Sequence, residues 1–335
     1  MTKINEIYEK YCKNKKVCLT IINDIFIDGD FLEKYLTLIL KLKVVISGSE
    51  FFLIDNLFFN LDYITYICVG HGVSFFKHFL YHKNSYYGSK KYKKILIPPS
   101  KRLISMAKIY GWKDKNIIKM NLPRWDKYNN IENNKKEKRN KNIFIMFTWR
   151  QMKKKKGISK LYFENINRLL NNILLLKNLK EYNITLYFTF HRRIKNKSKI
   201  KLNKFIKYIE EEEISTILSN TSLIVTDFSS IIFDIIYREK PFIIFIPDSN
   251  DPTINDIYLS SYSKLINDMK DGTISFQNTF FSIKDTIKKI NFYIKNNFNL
   301  EPKLKLFYKS FGFKKENNTN ILLFHLFLIN IYQIL

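Results

Sequence analysis

Short apolar, β-branched runs alternate with amphipathic stretches along this chain, and the alternation occurs twice. VCLTIIND, FLEKYLTLILKLK, VVISGSE, YITYICVGHG, KKILIPPS, KRLISMAKIYGW and NIIKMN fill the first 125 residues. Short apolar runs bounded by turn residues read as strands and the longer amphipathic stretches as helices, so this order predicts a parallel sheet with crossover helices. DKYNNIENNKKEKRNK follows, with no apolar residue after Ile131, and reads as an exposed basic linker. The pattern then resumes with NIFIMFTW, a helix around FENINRLLNNILLLKNL, ITLYFTFH, an acidic turn EEEIS, SLIVTDFSS, the helix IIFDIIYRE and KPFIIFIPD. A length of 335 residues suits two cores rather than one. The expected fold class is therefore α/β, with two Rossmann-like domains around a cleft. Residues 1–128 form the first, 129–141 the linker and 142–335 the second, whose last helix is expected to pack back on the first. In open parallel sheets ligands bind beyond the carboxyl ends of the strands, which is where the chemistry should be sought.

Lys plus Arg number 57 against 30 Asp plus Glu, a formal charge of +27 that favours anionic partners. Abundant Lys, Asn, Ile and Phe along the whole chain also fit codon bias in an AT-rich genome, so a generally basic surface explains part of the charge. Cys12, Cys18 and Cys68 lack paired zinc spacing, and an odd count suits a reducing compartment. The start lacks the apolar core of a signal peptide, and the longest apolar runs fall short of the ~20 residues a spanning helix needs. A cytoplasmic location, with peripheral membrane contact at most, is expected.

Several strand ends carry groups suited to phosphate and proton chemistry. In SLIVTDFSSIIFD an apolar run ends at Thr226, and Asp227, Ser229 and Ser230 precede an apolar helix. Amides of a first helical turn and two hydroxyls suit phosphate oxygens; plain N-capping by Asp227 or Ser229 explains the same residues and is compatible with it. In ICVGHGVSFFK a strand delivers His71 between Gly70 and Gly72, which permit close ligand approach. Imidazole titrates near neutral pH and can take a proton from an attacking hydroxyl; a hydrogen-bonded structural histidine in a turn is the alternative. His191 ends ITLYFTFH and is followed by Arg192 and Arg193, an anion clamp or a solvated basic strand end. Arg150 in FTWR, and Arg124 and Asp126 in NLPRWDKY, are weaker candidates for the cleft. No Walker loop, Rossmann glycine fingerprint or HExxH is present, so no cofactor and no metal are expected.

In order, GHG, LPRWD, FTWR, the strand-end His191, TDFSSIIFD and KPFIIFIPD resemble the CDP-glycerol glycerophosphotransferase family, the teichoic acid primases and polymerases. The resemblance spans about residues 65–250 and departs from the family at Gly70, Arg192 and Phe228, where Trp, Pro and Tyr are usual. It implies a glycosyltransferase B (GT-B) fold whose second domain holds CDP-glycerol, or a related CDP-polyol, while the first presents the acceptor. It also implies His71 as catalytic base, with His191 beside it in the catalytic set. Asp227, Ser229, Ser230, Arg150 and Arg192 would lie near the CDP phosphates, and Gly72, Arg124 and Asp126 on the acceptor side or in the cleft. The implied partners are a lipid-linked acceptor glycan and, through KHFLYHKNSYYGSKKYKK, an anionic membrane surface at the inner face. No nucleic acid is expected, although charge and aromatic content keep a nucleic-acid-binding protein as one alternative. A nucleotide-sugar-dependent glycosyltransferase on the same fold is the other.

Overall fold

The computed structural model describes residues 44–47, 65–68, 94–109, 111–122, 125, 126, 128, 141–150, 158–191, 194, 200–258, 260–272 and 276–313, all within the unit Val44–Leu335. Two sheets organise them, and every strand pairing is parallel. The first has the order β1 (Val44–Ser47), β2 (Thr65–Cys68), β3 (Lys94–Ile97), β4 (Ile117–Lys119), with α1 (Lys101–Ile109) crossing between the last two. Gly111, at φ 91°, closes α1 in the left-handed conformation that glycine adopts without a Cβ penalty, and Trp112 N–H then reaches back to Ala107 O at 3.1 Å.

The second sheet contains β5 (Asn142–Phe147), β6 (Thr185–Phe190), β7 (Ile206–Tyr208), β8 (Leu223–Thr226), β9 (Phe242–Phe245) and β10 (Thr279–Phe280), in the order β10-β9-β8-β5-β6-β7. Its helices are α2 (Lys160–Leu170), α3 (Ile173–Glu181), α4 (Glu211–Asn220), α5 (Ile231–Tyr237), α6 (Ile254–Ile257), α7 (Ser260–Lys270), α8 (Ile283–Lys295) and α9 (Pro302–Lys309). This is the expected α/β architecture of GT-B type. VCLTIIND, FLEKYLTLILKLK and the basic linker up to Asn140 lie outside the described residues.

Side chains of the central strands alternate between two cores, as the two-residue period requires. Ile143, Ile145 and Phe147 of β5, Leu223 and Val225 of β8, and Ile243 and Phe245 of β9 pack with Tyr162, Ile166, Leu179, Ile290 and Tyr293 of α2, α3 and α8. Phe144, Ile224, Phe242 and Ile244 face the other core, which also holds Leu96 and Leu103 from the first sheet and its helix, Trp125, and Phe233 of α5. Each such fully buried aliphatic or aromatic side chain contributes ~1.5–3 kcal/mol relative to exposure. Trp125 anchors this second core, stacked on Tyr237 at 4.5 Å between ring centroids and against Phe313 at 5.1 Å.

Two elements differ from the sequence reading. FENINRLLNNILLLKNL forms two helices, because Asn172 takes an extended conformation and its side chain accepts the Leu175 N–H at 3.2 Å, capping α3. EEEIS is the first helical turn of α4 rather than a separate turn between elements. Glu210 and Glu213 form a capping box there, and three acidic residues meet the positive end of the helix dipole.

Candidate active site

Because β9, β8, β5 and β6 are adjacent and parallel, their carboxyl ends emerge side by side. Phe147 leads into Thr148–Arg150, Phe190 into His191, Thr226 into Asp227–Ser230, and Phe245 through Ile246 and Pro247 into Asp248. The second sheet thus brings Arg150, His191, Asp227, Ser229 and Ser230 to one edge. His71, Gly72, Arg124 and Arg192 lie outside the described residues. Asp126 is half-buried, one residue beyond Trp125 in the segment that follows the first sheet.

Arg150 and Asp227 do not face outward. Both side chains are fully buried, and Arg150 Nη1 lies 2.5 Å from Asp227 Oδ2. On its other side Arg150 donates bidentately to Asp248, Nε to Oδ2 at 2.9 Å and Nη2 to Oδ1 at 2.8 Å. Thr148 completes the set, donating from its amide (3.0 Å) and its hydroxyl (2.9 Å) to Asp227 Oδ1. Rings of Phe228 and Tyr162 flank the guanidinium at 4.5 and 4.9 Å. Burial alone would depress Arg150, but the Asp248 and Asp227 carboxylates outweigh it and hold the guanidinium well above the ordinary arginine value. Burial pushes Asp227 above the usual carboxylate range, with Arg150 and Thr148 opposing. Arg150 and Asp227 therefore offer no surface to a bound phosphate in this conformation. The carboxylate of Asp227 is taken by Thr148 and Arg150 and does not cap α5.

Among the sequence candidates at this edge, Ser230 and His191 are partly exposed, whereas Ser229 is buried and its Oγ accepts the Ile231 N–H at 3.4 Å. Ser230 starts α5 and makes no side-chain capping bond. The His191 amide bonds Phe147 O at 3.3 Å, which holds it beside the end of β5, and its ring lies 6.4 Å from Trp149. Asp248 was not singled out by sequence reasoning, although it too ends an apolar run, in KPFIIFIPD. No group of three His, Cys, Asp or Glu among the described residues is placed to hold a metal ion, and no helix among them is long and apolar enough to cross a membrane.

Residues 29–266 match the profile of the family described as CDP-Glycerol:Poly(glycerophosphate) glycerophosphotransferase, which covers well over half of the chain and includes every one of these strand ends. The chain belongs to this family. Among curated proteins it is 26% identical over 313 residues to the minor teichoic acid biosynthesis protein GgaB of Bacillus subtilis (strain 168), covering 87% of this chain and 32% of that protein. The chain thus spans about a third of that relative's length. Among solved structures it is similar to the wall teichoic acid polymerase TagF, with a TM-score of 0.60 at 15% identity over 99% of this chain and 85% of that one. A TagF variant soaked with CDPG gives a TM-score of 0.58 at 14% identity, over 99% and 84% of the two chains. Methanocaldococcus jannaschii UDP-GlcNAc 2-epimerase, with UDP-GlcNAc and UDP, gives 0.50 at 15% identity over 89% and 80%. At these identities the structural likeness is one of fold.

Proposed function

We propose that this family member transfers glycerol phosphate from CDP-glycerol to a hydroxyl of a lipid-linked glycan or polyol-phosphate chain, releasing CMP. The observation that carries the reading is the convergence of His191, Ser229 and Ser230 at the carboxyl edge of the second sheet, within the stretch that matches the family. The second sheet holds the nucleotide and the first faces the acceptor, with the domains divided near 129–141.

In the reaction the acceptor oxygen attacks the glycerol-bearing phosphorus in line. A new P–O bond forms as the bond to the CMP oxygen breaks, and the acceptor proton passes to His71. Phosphoryl-group chemistry depends on positioning and charge stabilisation more than on covalent help. Ser229, Ser230 and His191, with Arg192 beside it, supply donors to the leaving phosphate. Arg124, Asp126 and Gly72 belong to the acceptor side, and the acceptor is met at the inner face of the membrane by a peripherally bound, cytoplasmic protein.

Incubating the purified chain with CDP-glycerol, CDP-ribitol and a set of UDP-sugars tests this. Release of CMP from CDP-glycerol, dependent on an acceptor, is the expected result. Release of UDP from a sugar nucleotide with CDP-glycerol untouched overturns it in favour of a glycosyltransferase.

A further inference from the structure

Arg150 uses its guanidinium entirely inside the protein. It spans Asp248 at the end of β9 and Asp227 at the end of β8, and Nη1 also bonds its own strand's Thr148 carbonyl at 3.1 Å. Helix α2 closes the arrangement from the side: Tyr162 Oη donates to Thr148 O at 3.1 Å and Asn165 Nδ2 to Pro247 O at 2.6 Å. One side chain therefore ties together three strand ends separated by 77 and 98 residues in sequence. For stability alone, a buried ion set of this kind is poorly justified. Replacing such a set with apolar residues of similar volume is often neutral or favourable, whereas removing a single partner is strongly destabilising. Its distinctive property is directional: a planar fork with fixed partners admits one geometry for the turns it joins. Those turns carry Trp149 next to His191 on one side and Ser229–Ser230 on the other.

We propose that Asp248 and Arg150, with Asp227, form a buried clamp of positioning residues that fixes the Thr148–Arg150 and Asp227–Ser230 turns for the transfer, without touching the donor. This rests on the functional reading above. Misplacement of a reacting group by about 1 Å costs on the order of 100-fold in rate, so the clamp acts on turnover through the residues it holds.

Two variants of the full chain test it: Asp248→Asn, and the apolar replacement Arg150→Met with Asp227→Asn and Asp248→Leu, in which the side-chain amide introduced at position 227 keeps an acceptor for the Thr148 N–H. Thermal midpoint, CMP release from CDP-glycerol and amide hydrogen exchange are read on each. The single variant is expected to lose stability, and the triple to regain a midpoint near wild type. Both are expected to show kcat/KM lowered ~10–100-fold. Both should also exchange faster at 148–150 and 228–230, with Ile143–Ile145 in mid-strand unchanged. A triple variant with wild-type midpoint, turnover and exchange overturns the clamp and leaves a purely structural ion set. If the triple variant does not fold, unchanged exchange at those turns in Asp248→Asn overturns it equally. A wild-type chain inert toward CDP-glycerol removes the functional reading, and the exchange comparison still decides the clamp.

Discussion

Trp125 donates its indole N–H to Asp234 Oδ1 at 2.9 Å, joining the segment after the first sheet to the helix that begins at the Asp227–Ser230 turn. The same oxygen accepts the Tyr128 hydroxyl at 3.2 Å, and Asp234 is 1% exposed. Asp234→Ala leaves two buried donors without this acceptor. It is expected to lower unfolding free energy by ~2–4 kcal/mol, whereas Trp125→Phe, which keeps a ring against Tyr237, should cost ~1–2 kcal/mol. Urea denaturation measures both, and equal effects would contradict the two-donor account.

His71→Ala is expected to lower CMP release from CDP-glycerol at least ~100-fold, the range assigned to a positioned general base. Near-normal turnover would remove His71 from that role.

Ser230→Ala should raise the KM for CDP-glycerol ~10-fold and leave stability within ~0.5 kcal/mol, since the hydroxyl makes no capping bond. Ser229→Ala should show a similar kinetic loss together with ~0.5–1 kcal/mol of destabilisation, because Ser229 Oγ receives the Ile231 amide. Steady-state kinetics beside chemical denaturation separates the two; identical stability effects would count against this division.

Glu301, at the start of α9, lies 2.7 Å from Lys289 and accepts the Tyr293 hydroxyl at 2.5 Å. Burial would raise its carboxyl, but the Lys289 and Tyr293 bonds prevail and hold it below the usual glutamate range. An acid depressed in the folded state adds stability above its unfolded pKa and loses it as pH falls through the folded value. Glu301→Gln should therefore flatten the acid limb of the stability profile while altering its slope little above neutrality. Thermal midpoints from acid to neutral pH provide the check, and parallel profiles for the two proteins would refute it.

Asn172→Ala removes the cap of α3 and should cost ~1 kcal/mol in chemical denaturation, with no change in donor kinetics.

Much of the second sheet was legible because parallel strands covered on both faces read as apolar runs, and β5, β6, β8 and β9 coincide with quoted runs. The edge strands β7 and β10, of 3 and 2 residues, are too short to show a period. The break at Asn172 was hidden inside an apolar stretch whose period continues across it. At the site, strand-end positions of His191, Asp227 and Arg150 followed from the runs preceding them. Which way Arg150 points did not, because its partner Asp248 is 98 residues away and only the sheet order brings the two together. A single charged residue at a strand end reads as a ligand contact until its counter-charges are located.

The alternation of β5, β8 and β9 between two cores has an evolutionary consequence. The odd-numbered face, Ile143, Ile145, Val225 and Ile243, packs with α2, α3 and α8, so a relative's layer can replace it only if it supplies equivalents of Tyr162 and Asn165, which bond Thr148 O and Pro247 O. The opposite face shares its packing with Leu96, Leu103 and Trp125. A chimera that replaces α5 must therefore replace residues 94–128 along with it, or keep a buried tryptophan whose stacking partner Tyr237 and acceptor Asp234 have gone.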